Sequence, residues 1–244
     1  MSWRDIHRFS VGSTFNGDRV SAVLTPRSGA GTGPLDLRVL ELMTARLCHE
    51  LIGPIAAVNN GVELLADEPS LTSGGSDPDF VHDAIALVGD SANRAASRLQ
   101  FYRFAYGYGH DGSMVGSPPD ELARRFFERT QIACDYGESI RVLPLDWQRL
   151  ACNLLLIGAE TLSRGGNLVL EVAPDGLDLE ATGEFAALSR ETGDALSLAT
   201  PVAALTSRSV QAYFTGLLAE ALGCRLVRTE GFRRLRLTAV GVAG

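Results

Sequence analysis

The chain has 244 residues, which is long enough for one large domain or two small ones. Hydrophobic residues make up 45% and charged residues 21%, an ordinary balance for a globular protein, and no apolar run approaches the roughly 18 to 20 residues that span a bilayer. A net charge of −7 argues against general binding to nucleic acids or anionic membranes. The four cysteines form no CxxC pair and no zinc-type spacing with histidine, so we expect reduced thiols, no metal site and a cytoplasmic protein.

Residues 1–34 are interpreted as a flexible leader. They carry several glycines with scattered serine and threonine, and their apolar residues follow neither a helical nor a strand period. The first domain is therefore expected to begin at about residue 35.

A long amphipathic helix is predicted over residues 35–66, with a break or bend at Pro54. Its apolar residues recur at intervals of three and four, as on one stripe of a helix: Leu47, Leu51, Ile55, Val58, Val62 and Leu65. His49 lies two positions from two members of this stripe, so its side chain is expected roughly opposite, facing solvent or a partner. Ala45 and Gly53, one turn to either side, are small and leave the imidazole open to a large partner.

A second amphipathic helix is predicted over residues 79–104, after a polar connection rich in glycine and serine. Its stripe consists of Phe80, Ala84, Leu87 or Val88, Ser91, Ala95, Leu99 and Tyr102. The two helices form a hairpin domain over residues 35–107. One hairpin has too little surface to bury both stripes, so we predict a homodimer in which two hairpins form an antiparallel four-helix bundle. The alternative is that the stripes pack against the second half of the same chain.

The second domain is predicted over residues 115–244, after a glycine-rich linker at 106–112. Helices are expected at 119–129, 146–163 and 210–222, and a strand at 140–143. Two strand hairpins are expected, one at 167–173 and 177–181 and one at 224–229 and 233–239. This order predicts helices layered on one mixed sheet. The predicted fold class is therefore α+β, an N-terminal antiparallel helical hairpin followed by an α/β sandwich.

The first helix carries residues in the order found in the phospho-accepting box of sensor histidine kinases. In that box a His-Glu pair opens a short run that ends in proline, and Glu-Leu-Leu closes the following turns. The matching residues are His49-Glu50-Leu51, Pro54 and Glu63-Leu64-Leu65. Together with the second domain, they make the chain resemble the ChpT-like histidine phosphotransferases of alphaproteobacterial phosphorelays, over roughly residues 36–240.

The second domain resembles the ATP-binding domain of histidine kinases, but it departs from that family at each nucleotide-binding box. Asn-Leu-Leu at 153–155 matches, whereas Ile157 stands where the family has the asparagine that holds Mg²⁺. Ala181 stands where an aspartate reads adenine. Residues 206–209, Thr-Ser-Arg-Ser, replace the glycine-rich lid, whose glycines let the backbone approach phosphate closely. We therefore expect no ATP, no other cofactor and no metal bound by this chain.

The resemblance implies reversible phosphoryl exchange between His49 and an aspartyl phosphate. The partners would be the receiver domain of a hybrid histidine kinase and the receivers of response regulators, which would supply Mg²⁺ and a lysine. Imidazole is a good nucleophile near neutral pH, and an acyl phosphate is already activated. Arg46 is expected either to pair with a phosphoryl oxygen or to be merely solvated. Glu50 is expected to hydrogen-bond the imidazole or to meet a basic group on the receiver.

Two other functions stay open on the sequence alone. One is an ATP-dependent sensor histidine kinase, which tight binding of a fluorescent ATP analogue would support. The other is a non-enzymatic dimeric adaptor that binds response regulators without transferring phosphate. A chase of radiolabel from a phosphorylated receiver onto this chain distinguishes the adaptor from a phosphotransferase.

Overall fold

The computed structural model describes residues 20–24, 36–66, 78–107 and 117–241. Within these ranges the helices are α1 (Leu37–Ala66), α2 (Pro78–Gly107), α3 (Pro119–Phe127), α4 (Leu145–Thr161), α5 (Arg190–Leu196) and α6 (Val210–Ala221). The strands are β1 (Val20–Leu24), β2 (Ile132–Tyr136), β3 (Gly166–Ala173), β4 (Gly176–Thr182), β5 (Cys224–Gly231) and β6 (Arg234–Gly241). A helical hairpin is thus followed by an α/β sandwich, which confirms the predicted fold class. None of these helices is long and apolar enough to cross a membrane.

Helices α1 and α2, of 30 residues each, pack against one another as the predicted hairpin. They approach closely at Gly61, where an added Cβ would lie 2.5 Å from Cγ2 of Val88. Helix α1 continues through Pro54 as one element, so it has no break there, and the alternative of a bend stays a prediction. A proline removes only one backbone hydrogen bond, and packing of α1 along α2 keeps the flanking turns helical.

The second domain is a mixed sheet with helices on one face. The strand order is β1-β5-β6-β4-β3-β2, with β2 parallel to β3 and every other neighbouring pair antiparallel. Helices α4 and α6 cover the buried face, and the opposite face is polar, as in the ion pair between Arg236 and Asp178. Leucines fill the space between the layers and include Leu154, Leu155, Leu168, Leu170, Leu177, Leu179, Leu235 and Leu237.

One local prediction in this domain is wrong, and two elements, β2 and α5, were not predicted. The segment expected as a strand at 140–143 forms most of a 3₁₀ helix, Glu138–Val142, in which Ile140 is buried and Val142 is exposed; Leu143, directly after the helix, is buried. A spacing of three between buried residues fits a 3₁₀ turn and not the alternation of a strand. The strand of this region is instead β2, whose side chains alternate between half-buried and exposed. The short helix α5 was also missed.

The N-terminal segment differs from the expected leader in one place. Five of its residues form β1, which pairs antiparallel with β5 at the outer edge of the sheet, from Val20 opposite Thr229 to Leu24 opposite Leu226. The other residues of 1–34, and residues 108–112 of the predicted linker, lie outside the described ranges.

The end of α2 is built into the core of the second domain. Phe101 and Ala105 are completely buried, and the Phe101 ring lies 4.5 Å, centre to centre, from that of Phe126 on α3. Val39 and Leu42, near the start of α1, belong to the same core. These four residues of the hairpin lie outside the predicted stripes, but Leu47 and Tyr102 of the stripes pack on the same core, as the alternative to a dimer contact expected.

A buried polar chain crosses the same junction. The amide nitrogen of Asn153, on α4, donates to the carbonyl oxygens of Ala105 at 2.7 Å and Arg149 at 2.8 Å. The amide nitrogen of Gln211, on α6, donates to the Asn153 side-chain oxygen at 2.9 Å. The Tyr106 hydroxyl donates to the Gln211 side-chain oxygen at 2.7 Å. Because Asn153 and Gln211 are fully buried, these bonds fix α2, α4 and α6 relative to one another.

The substitution Asn153→Ala should lower the free energy of unfolding by about 2 to 4 kcal/mol, since the carbonyl of Ala105 and the amide of Gln211 both lose a buried partner. Chemical denaturation followed by circular dichroism measures this change. Asn93→Ala on the exposed face of α2 is the control and should stay within about 0.5 kcal/mol of the unsubstituted chain. Equal stabilities for the two variants would contradict the role given to the network.

Candidate functional site

The side chain of His49 is exposed on α1, as predicted, and lines a cleft between the hairpin and the second domain. The cleft has a volume of about 890 Å³. Ala45 lines the cleft beside it, and an added Cβ at Gly53 would meet no atom within 4 Å. A large partner can therefore approach the imidazole from this side.

The opposite wall of the cleft comes from the second domain, and sequence analysis did not place it there. It consists of the end of α4, the segment leading into and including the start of α5, and the loop before α6: Glu160, Thr161, Ala187, Leu188, Ser189, Glu191, Thr192, Ser207 and Arg208. The sequence held one clue, because residues 206–209 had been singled out as the replacement for a phosphate-binding lid. The remaining residues of this wall carry no motif.

Arg46 lies one turn before His49, and its side chain is only 14% exposed. Its guanidinium donates to Glu160 at 2.5 Å and to the carbonyl oxygen of Ser207 at 3.3 Å. Burial raises the pKa of Glu160, and the charge of Arg46 acts in the opposite direction. Arg46 thus joins α1 to α4 and to the loop before α6, and it is not the solvated arginine of the alternative prediction.

Glu50, next to His49, forms an ion pair with Arg98 of α2. The guanidinium of Arg98 also lies 5.3 Å from the centre of the Phe126 ring. The structure therefore places Glu50 in a contact within the hairpin, and the predicted contact of Glu50 with the imidazole or with a receiver stays a prediction. Ile52, three residues beyond His49, is 64% exposed and extends the open surface.

Two tyrosines of α2 lie close to Arg46. Their rings stack with centres 5.3 Å apart, and both side chains are largely buried: Tyr102 and Tyr106. Burial raises the pKa of each phenol, so both are neutral near pH 7. The neutral phenols give Arg46 no negative charge to pair with, and its ion pair is with Glu160.

The positions of the nucleotide-binding boxes are occupied by packing residues. Ile157 and Ala181 are fully buried and offer only hydrocarbon where the kinase family has a metal ligand and an adenine-reading carboxylate. Asn153 is committed to the polar chain at the junction with α2. Over the described ranges, no group of three or more histidine, cysteine, aspartate or glutamate side chains is arranged to hold a metal ion.

Comparison with known proteins finds a matching family and similar phosphotransferases. Residues 119–230 match the family described as histidine phosphotransferase C-terminal domain. The protein phosphotransferase ChpT of Brucella abortus (strain 2308) is 32% identical over 202 residues, which cover 79% of this chain and 92% of that protein.

Among solved structures, one described as a bacterial phosphotransferase superposes with a TM-score of 0.67 at 29% identity, over 85% of this chain and 98% of that one. The match to the Brucella protein is longer than the second domain alone, since it covers 79% of this chain. The chain therefore belongs to the family of ChpT-type protein phosphotransferases.

Proposed function

We propose that this chain is a histidine phosphotransferase of a multistep phosphorelay, in which His49 carries the phosphoryl group between receiver-domain aspartates. The observation that carries the proposal is the exposed imidazole of His49 at an open cleft, on the helix whose motif resembles a phospho-accepting box. Membership of the ChpT-type family supports the same reaction.

The transfer is a direct displacement at phosphorus. The lone pair of a neutral imidazole nitrogen forms the N–P bond, and the P–O bond of the aspartyl phosphate breaks. The electron pair of that bond leaves on the aspartate carboxylate. The second ring nitrogen keeps its proton, so the ring carries a positive charge until the proton passes to water. The reverse steps deliver the phosphoryl group to a second receiver.

The two charged neighbours of His49 hold the acceptor helix in place. Arg46 is bound to Glu160 and Ser207, and Glu50 is bound to Arg98, so both side chains are already engaged before a partner docks. Their proposed role is to fix the orientation of the His49 turn against the second domain and against α2. Such positioning matters because the chemistry requires little beyond an aligned nucleophile and stabilised charge.

The proposed reaction uses no ATP on this chain. The buried Ile157 and Ala181, and the loop without glycine at 206–209, support this part of the proposal against the sensor-kinase alternative. Mg²⁺ would come with the partner receiver. The adaptor alternative predicts the same docking surface without label on His49.

The proposed active form is a homodimer held by the hairpin. Exposed apolar residues recur at intervals of seven on each helix, with Ile55 and Val62 on α1, and Ile85, Ala92 and Leu99 on α2. This spacing is typical of a seam between packed helices, and the four large side chains among them are 49% to 57% exposed in the single chain. Pairing with a second hairpin would cover them.

The substitution His49→Ala should abolish acquisition of label from a ³²P-phosphorylated receiver domain and leave the fold intact, because an exposed helical position tolerates alanine. Gel autoradiography after mixing measures the label. His82→Ala, at an exposed histidine of α2, is the matched control and should be labelled like the unsubstituted chain. Acid-labile, base-stable label that persists on the His49→Ala chain would exclude His49 as acceptor.

The substitution Ile85→Asp should convert the dimer to a monomer. The new carboxylate is solvated in a single chain and would be buried without a partner in the bundle. Sedimentation velocity at micromolar concentration measures the change. Val142→Asp, at a residue of the second domain that is 73% exposed, should leave the dimer unchanged. A monomeric unsubstituted chain would refute the bundle.

A further inference from the structure

The loop before α6, residues 206–209, has a fixed conformation although it contains no glycine. We call it the α6 entry loop. The Thr206 hydroxyl accepts from the backbone N–H groups of Arg208 at 3.2 Å and Ser209 at 3.3 Å, and it donates to Glu191 at 2.6 Å. The hydroxyl of the fully buried Ser209 accepts from the Thr206 N–H at 3.0 Å. These reciprocal bonds hold the loop in one shape.

The α6 entry loop is also tied to the acceptor helix. Arg46 donates to the carbonyl oxygen of Ser207, the residue directly before Arg208, and it binds Glu160 with its other terminal nitrogen. Because Arg46 lies one turn before His49, this bond sets the loop beside the acceptor. Arg208 and His49 line the same cleft from its two walls.

Among the described residues of the cleft, the charged side chains differ in whether they have a partner inside the molecule. Three carboxylates line it, and each has a partner: Glu160 is bound to Arg46, Glu50 to Arg98, and Glu191 to the Thr206 hydroxyl. In the described part of the chain, the guanidinium of Arg208 has neither a hydrogen bond nor an ion pair, and the side chain is exposed. It is thus the cation of the cleft that is free to bind an incoming anion.

The geometry points to Arg208 as the residue that binds the phosphoryl group during transfer to and from His49. The inference rests on the proposed function and names a residue that sequence analysis did not assign. Arg208 makes and breaks no covalent bond; its N–H groups donate to the phosphoryl oxygens as the P–O bond opens and the N–P bond forms. A planar guanidinium matches two phosphoryl oxygens at once, and added positive charge stabilises a transition state in which negative charge spreads over three oxygens.

The α6 entry loop, at the position of a nucleotide lid, would thus supply the arginine that binds the phosphoryl group at His49. In place of backbone that wraps a triphosphate, it presents one side chain to a single phosphoryl group. The hydrogen bonding of Thr206 and Ser209 suits this role, because it fixes the backbone that carries Arg208, so only the arginine side chain has to be ordered on binding.

The test measures single-turnover transfer from a receiver domain labelled with ³²P-acetyl phosphate, at half-saturating and saturating receiver concentrations. Arg208→Gln should slow the maximal transfer rate about 10- to 100-fold. Arg208→Lys should recover part of that loss, since it restores the charge without the planar fork. Thermal unfolding and sedimentation should match the unsubstituted chain. Arg124→Gln, at an exposed arginine of α3 outside the cleft, is the charge-matched control and should transfer at the original rate.

Equal maximal rates for the unsubstituted chain and Arg208→Gln would overturn the inference. A defect confined to half-saturating receiver would also overturn it, because that result assigns Arg208 to docking and not to the transferred group. Absence of label on the unsubstituted chain would instead overturn the proposed function itself.

Discussion

The contacts of Arg46 join the two halves of this molecule beside His49. Arg46 projects from α1 into the junction and binds a carboxylate on α4 and a backbone carbonyl in the α6 entry loop. The Arg46 side chain is only 14% exposed and has lost most of its hydration, so its two partners must compensate for the cost of burying its charge. The cleft beside His49 is the space left when α1 is held against the second domain at this point. These two contacts, together with the buried chain from Tyr106 through Gln211 to Asn153, set the positions of the two walls of the cleft.

In the second domain, packing residues occupy positions that match the nucleotide-binding residues of the kinase family. Ile157 and Ala181 are enclosed in the core, and Asn153 contributes its amide to a buried chain that ends on α2. The hydrocarbon of Ile157 and Ala181 adds to stability because it is buried. Asn153, which matches the kinase family, closes the junction with the hairpin, because its amide donates to the Ala105 carbonyl.

The sequence predicted the parts of the fold that depend on periodicity. Both long helices, the helices at α4 and α6 and the two strand hairpins follow from apolar spacing and from glycine at the turns. The exposure of His49 follows from its position opposite the stripe. The 3₁₀ helix was mistaken for a strand because four apolar-rich residues are too few to separate a period of two from a period of three.

Apolar periodicity could not predict which residues form the opposite wall of the cleft. The contact between Arg46 and Glu160 joins residues 114 positions apart, and Arg98 meets Glu50 across 48. Spacing along one helix shows which face a residue occupies, and it does not show what folds onto that face. Arg208 is an example: in the sequence its loop is distinguished only by the absence of glycine, which does not place it beside His49.

The locked junction between hairpin and sandwich has a kinetic consequence. Asn153, Gln211 and Tyr106 bind each other in the free chain, so the two walls of the cleft are assembled during folding and not at each encounter. A partner that docks there meets a finished surface and orders few additional side chains. Such a surface favours fast association, because docking does not wait for a rearrangement.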